Sequence, residues 1–123
     1  MFDAGADVVY HAAGGSGGGV FEAAQAAEGW AIGVDSDQYL TASEDAQPHI
    51  LTSMLKRVDT ATFNMTESVA DGKPLVSYQT YDLAADGVGY STSGDFLSED
   101  TISQIEDFAD QIKAGDIEVP DTP

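Results

Sequence analysis

The sequence predicts a three-layer α/β lobe built on a mostly parallel sheet. Three observations point there. A strand, a glycine-rich turn, a helix and a second strand follow one another between Asp7 and Asp35, a span of about 30 residues, the size of a βαβ crossover. The strands read as short, continuous apolar runs, the pattern of strands covered on both faces. Strand and helix patterns then keep alternating to the last helix, and such alternation builds layered α/β folds with right-handed connections.

Each element has its own warrant. Residues 2–7 resemble the tail of a helix closed by Gly5, since glycine accepts the left-handed turn that ends helices. Asp7-Val8-Val9-Tyr10-His11-Ala12-Ala13 is the first strand, followed by the run from Gly14 to Gly19. Val20, Phe21, Ala24 and Ala27 then repeat at helical spacing up to Gly29, a stop signal. Trp30-Ala31-Ile32-Gly33-Val34 is the second strand and ends in Asp35-Ser36-Asp37-Gln38. A polar loop runs from Tyr39 to His49, and Ile50–Leu55 is a third strand ending at Lys56-Arg57.

Asp59 is expected to cap a helix that runs to Asp71, with Val58, Ala61, Met65 and Val69 on one face and Gly72 as the stop. Leu75–Leu83 carries Val76, Tyr78, Thr80 and Tyr81, a β-rich stretch, and Val88-Gly89-Tyr90 follows the turn at Asp86-Gly87. The last helix starts at the N-cap Ser98, with Glu99 and Asp100 at the positive end of its dipole. Ile102, Ile105, Phe108 and Ile112 form its expected buried stripe, Lys113 lies in its last turn, and Gly115 follows. Residues 117–123 read as a tail. There is no internal repeat, and 123 residues fit one domain.

Composition removes several function classes. Four Lys and Arg against 22 Asp and Glu give a net charge of −18. Nucleic-acid affinity comes largely from cations that neutralise phosphates, so no nucleic-acid partner is expected, nor an anionic membrane surface. No apolar run reaches the roughly 18 residues of a spanning helix, so this chain is not expected to insert in a membrane, and it shows no secretory leader. Apolar residues at 42% set it apart from disordered chains. With no cysteine there is no disulfide, thiolate nucleophile or Cys-based metal site. His11 and His49 lack ligand spacing, so no metal or other cofactor is called for. The acidity fits a self-repelling soluble surface and, in a sharper reading, a high-salt habitat, because at about 1 M salt the Debye length is only about 3 Å.

In an open parallel sheet ligands sit at the carboxyl ends of the strands. The glycine run, Asp35 and Lys56 follow the first, second and third strands in turn, and so converge on one sheet edge. The glycines either offer free N–H groups to an oxygen-rich ligand or merely pack a helix on the sheet. They complete neither phosphate motif: Val20 stands where a P-loop has lysine and where the dinucleotide fingerprint has its last glycine. Asp35, 20 residues after Gly15, can accept two hydroxyl hydrogen bonds from a ribose; alone, either Asp35 or Asp37 also reads as a solvated loop acid. Lys56 can donate three hydrogen bonds to ligand atoms, whereas Arg57 reads as a surface ion pair with Asp59 or a neighbour. Tyr10, Phe21 and Trp30 are expected in the core, His11 as a satisfied core histidine, and His49 as exposed. A hydrolase elbow has its letters in Gly14-Gly15-Ser16-Gly17-Gly18, but only His49 lies downstream as a base.

Five stretches in this order resemble the C-terminal part of the basic membrane protein family: Gly5-Ala6-Asp7-Val8-Val9; Ala13-Gly14-Gly15-Ser16-Gly17 leading into Val20-Phe21; Trp30 to Gln38 with Gly-Val-Asp-Ser-Asp-Gln; Leu51-Thr52-Ser53 with Lys56 and Val58-Asp59; and Gly87-Val88-Gly89-Tyr90. The likeness runs from about Ala4 to Pro120. These are substrate-binding lipoproteins of ABC transporters, similar to purine nucleoside receptor lipoproteins. The resemblance implies a type I periplasmic-binding-protein-like fold of two hinged lobes closing on a nucleoside, with an ABC permease as partner. It implies that Gly15, Asp35 and Lys56 line the wall contributed by this lobe. The run Gly17-Gly18-Gly19 is richer in glycine than the family pattern.

Family members carry a signal, a lipid-attachment cysteine and a first lobe. The chain is therefore expected to be an incomplete C-terminal lobe of an extracytoplasmic, membrane-anchored receptor, binding nucleoside weakly or not at all by itself. Leu75–Tyr90 is expected near the hinge, where uncovered apolar residues and an open sheet edge favour self-association. The alternatives are a nucleotide-binding or hydrolase-type enzyme using the Gly14–Gly19 loop and Ser16, and a non-catalytic α/β interaction domain.

Overall fold

The computed structural model describes residues 1–120, so the last three residues of the expected 117–123 tail lie outside the described residues. Two compact units form: Met1–Lys56 with Gly89–Leu97, and Arg57–Val88 with the chain from Ser98 on.

The first unit is built on the sheet. Strands β1 (Val8–Tyr10), β2 (Trp30–Asp35), β3 (Ile50–Lys56) and β4 (Val88–Tyr90) lie in that order. β1, β2 and β3 are parallel, with Tyr10 opposite Ile32 and Asp35 opposite Leu55. Helix α1 (Gly18–Ala26) packs on β1 and β2. It contributes Phe21 and Ala24 to a core completed by Ala31, Ala46 and Ile50, with Phe2, Val20, Tyr39 and Ala42 packed around it.

β1 is shorter than the apolar run predicts, and it is covered on one side only. Val9 is buried, whereas Val8 and Tyr10 are exposed. The reason is its place at the end of the strand order. Residues 2–4 form a 3₁₀ turn closed by Gly5 in place of an α-helix tail. The glycine run is likewise ordered, as a 3₁₀ turn over Gly14–Gly17 that feeds α1.

The second unit holds α2 (Val58–Ala70) and α3 (Glu99–Ala114), and neither helix has a buried residue. α3 matches its sequence signals at both ends. Ser98 Oγ accepts from Thr101 N–H at 3.1 Å, and Gly115 turns left-handed at φ 81°. The stripe differs from expectation: Ile102, Ile105 and Ile112 are half-buried and Phe108 is exposed. On α2 the predicted core face is also open, with Val58, Met65 and Val69 exposed. Among the described residues neither stripe is fully covered. Asp59 does not cap α2; the N-cap is Arg57, and Asp59 lies inside the first turn.

Leu75–Leu83 is not a strand. Its β-branched and aromatic residues favour a pleated, half-buried surface, but Val76 and Tyr78 are exposed and no neighbouring strand supplies a ladder. Propensity without a partner strand leaves extended coil.

Candidate functional site

The carboxyl ends of β2 and β3 carry the site. β2 ends on Asp35 and β3 on Lys56. Parallel register sets Asp35 opposite Leu55, so Lys56 is one step further along the rim. Lys56 Nζ lies 2.8 Å from Asp35 Oδ1, and both side chains remain more than half exposed, at 57% and 53%. The pair is thus a wet ion pair whose free hydrogen-bonding capacity faces solvent.

Beside it is a hollow of about 150 Å³, lined by Tyr10, Ala12, Gly14, Val34, Asp35 and Met54. Gly14 faces this hollow, whereas Gly15 is not among its lining residues. Gly15 lies one residue on, in the 3₁₀ turn. Tyr10, which the sequence assigns to the core, is 52% exposed and lines the hollow. The alternation of β1 carries the signal for this: Val9 and His11 turn inward, so Tyr10 turns outward.

Asp35 is held in an uncommon conformation. Its φ is +69°, and Ser36 N–H donates to the Val34 carbonyl at 2.8 Å across it. This is a γ-turn with a left-handed centre, a strained form in L-residues. Val34 N–H in turn donates to Gln38 Oε1 at 2.7 Å, and Gln38 N–H donates to Oγ of the buried Ser53 at 3.1 Å. Gly33 is obligatory here, because a Cβ would stand 2.6 Å from Ser53 Oγ and 2.8 Å from Gln38 Oε1. Asp37 Oδ2 accepts from the Ser93 hydroxyl, tying the same turn to the segment after β4.

The two histidines differ from their sequence expectations. His11 is in the core, edge-on to Phe21 at 5.3 Å. It is not fully satisfied: Nδ1 accepts from Ala13 N–H at 3.4 Å, while Nε2 is buried without a partner. His49 is half-buried rather than exposed, with Nδ1 3.0 Å from the Gly29 carbonyl. That bond uses Nδ1 of His49 to hold backbone. Among the described residues no group of three His, Cys, Asp or Glu side chains could hold a metal ion, and no helix is long and apolar enough to cross a membrane.

Arg57, next to Lys56, turns to other work. It pairs with Asp59 at 3.3 Å and Asp86 at 3.4 Å. Its hydrogen bond holds the Asp59 carboxyl below the usual carboxylate range, and the same bond, with the charges of Asp59 and Asp86, raises the guanidinium. Arg57 therefore fixes the start of α2, as the surface ion pair read from the sequence.

Comparison with known proteins gives one consistent family. The model described as "ABC transporter substrate-binding protein PnrA-like" (Bmp) matches residues 1–123. A "CD4+ T-cell-stimulating antigen" of Listeria monocytogenes is 38% identical over the whole chain, which covers 38% of that protein. An "ABC transporter nucleoside-binding protein BmpA" of Lactococcus lactis is 33% identical over 98% of the chain, again 38% of that protein. The chain thus spans about two fifths of the length of the curated relatives it matches. Among solved structures, a "Transcriptional Activator of comK gene" from Bacillus halodurans superposes with a TM-score of 0.80 at 23% identity, covering 94% of this chain and 39% of that one. An ABC transporter solute-binding protein from Conexibacter woesei superposes at 0.73 and 19% identity, covering 96% of this chain and 38% of that one. At those identities the two structures establish the α/β fold.

Proposed function

The chain belongs to the Bmp family of PnrA-like ABC transporter substrate-binding proteins, and from that premise we propose that it is the C-terminal, ligand-capturing part of a two-lobe receptor whose cargo is a nucleoside. The observation that carries this reading is the ion pair between Asp35 and Lys56 at the rim, 2.8 Å apart beside the hollow lined by Gly14 and Tyr10. A carboxylate there accepts hydrogen bonds from vicinal hydroxyls, an ammonium donates to ring or sugar heteroatoms, and the exposed backbone of the glycine turn allows close approach. Gly15, Asp35 and Lys56 remain the assigned contacts, with Gly14 and Tyr10 added from the hollow. The name of the Lactococcus lactis relative supports the ligand class.

The role needs no bond making. Closure of two lobes around the ligand would trap it and present a closed surface to an ABC permease. The working place is extracytoplasmic, through a membrane-anchored N-terminal region of the full-length receptor. The enzyme alternative using Ser16 finds no support in the placement of His49.

The test is calorimetric titration of guanosine, adenosine and cytidine into the full-length receptor. Asp35→Asn and Lys56→Gln each remove a charged hydrogen bond, about 1.5–3 kcal/mol, and should weaken binding by about 10- to 100-fold. Ser16→Ala should leave it unchanged. Binding insensitive to both rim substitutions would refute the assignment.

A further inference from the structure

A second layer of residues, Gly33, Gln38 and Ser53, sits behind the rim and does not itself line the hollow. We propose that Gln38, seated on the buried Ser53, is a positioning residue for Asp35. The inference rests on the reading above, in which Asp35 meets the ligand.

Three observations converge. Asp35 occupies the centre of a γ-turn at φ +69°, a rare and strained form in an L-residue. The residue before it, Val34, is held through both of its backbone groups. Its carbonyl accepts from Ser36 N–H at 2.8 Å, and its N–H donates to Gln38 Oε1 at 2.7 Å. Gln38 is itself anchored through its own N–H to Ser53 Oγ, on a side chain with no solvent exposure. On the β3 side Val34 and Asp35 lie in register with Met54 and Leu55, but on the other side β1 pairing ends at Tyr10 opposite Ile32, two residues short of Val34, and leaves that edge to the brace.

The absence of a Cβ at Gly33 is part of the same device. An added methyl would press on both Ser53 Oγ and Gln38 Oε1. The brace therefore needs a glycine on β2, a glutamine five residues later and a small hydroxyl on β3. Together they hold the turn so that Asp35 Oδ1 faces Lys56 Nζ at 2.8 Å. Without the brace, Asp35 relaxes toward ordinary extended backbone and its carboxylate leaves the lysine.

The experiment uses the full-length receptor in molar salt, with Gln38→Leu, Gln38→Glu, Gly33→Ala and Asp35→Asn. Hydrogen exchange of the peptide covering residues 33–40 reads the turn, and guanosine titration reads the site. Gln38→Leu should raise exchange at Val34 and Ser36 by at least about tenfold and weaken guanosine binding by about tenfold, the loss of one oriented hydrogen bond. Gln38→Glu keeps the acceptor and should restore both to within about threefold, which a merely space-filling role would not do. If Gln38→Leu does not fold, Gly33→Ala, which displaces the same acceptor, takes its place with the same expected results.

Unchanged exchange in Gln38→Leu, or in Gly33→Ala, overturns the proposal. So does a loosened turn with unaltered guanosine binding while Asp35→Asn binds poorly. If Asp35→Asn itself binds guanosine normally, the nucleoside reading of the rim fails, and exchange alone then decides for or against the brace.

Discussion

A hollow in the sheet unit and a groove in the helical unit are of opposite character. The rim hollow of the sheet unit is small, about 150 Å³, and combines a carboxylate, a glycine backbone and an exposed tyrosine. The groove of the helical unit is several times larger, about 540 Å³, and its walls are mostly aliphatic: Leu83, Val88, Ile112, Ile117 and Val119, with Asp82 and Glu118. Size alone favours the groove as a ligand site, since ligand pockets are commonly the largest apolar clefts. The chemistry favours the rim. The carboxylate there follows a partly buried hydrogen-bonded turn, whereas the groove is walled by helix and tail.

The largest separation between the two regions should appear in stability. Ile50 is almost fully buried at the centre of the sheet-unit core, so Ile50→Ala should cost about 2–5 kcal/mol. Val69 is exposed on α2, and Val69→Ala should change stability by less than about 0.5 kcal/mol. Denaturant unfolding of both variants in molar salt checks the pair. Comparable losses would mean that the α2 stripe is covered in solution.

Next in size is the effect of salt. A net charge of −18 on 123 residues repels itself at low ionic strength, so the melting temperature should rise between low and molar salt as the Debye length falls to about 3 Å. A flat response would remove the high-salt reading. The same series tests self-association. The uncovered residues Val58, Phe63, Val69, Val76 and Tyr78 should drive concentration-dependent assembly once repulsion is screened. A single sedimenting monomer at high concentration would count against it.

The smallest effect lies at the start of α2. Asp59 has its carboxyl lowered by the Arg57 hydrogen bond. A lowered folded value means that this pair stabilises above the unfolded carboxyl value and that the contribution disappears as pH falls through the folded value. Both partners are exposed, so the change is slight. Asp59→Asn should flatten a shallow acid-side slope in stability, measured by unfolding across the carboxylate range, while an unaltered slope would show that the pair carries none of it.

The sheet unit was largely legible in the sequence. Apolar runs located β1, β2 and β3, and their order placed Asp35 and Lys56 at one edge because parallel strands put all their carboxyl ends on the same side. Local capping chemistry located both ends of α3. What escaped was set by distant contacts. The 75–83 stretch has strand-forming residues and no strand to pair with. The stripes of α2 and α3 have helical spacing, and neither is fully covered among the described residues. Tyr10 looked like core because its neighbours are apolar, yet strand alternation at a sheet end turns it outward. The brace was hidden for a different reason: Gln38 and Ser53 lie 15 residues apart, and only the approach of β3 to β2 makes a glutamine into a clamp.

The most direct measurement is a map of nucleoside contacts by chemical-shift changes in the isotope-labelled full-length receptor, titrated with guanosine. The account predicts shifts centred on Gly14, Gly15, Asp35 and Lys56, reached only at about 10- to 100-fold higher guanosine in Asp35→Asn. Shifts centred instead on Leu83, Ile112 and Val119, with the rim unmoved, would contradict it.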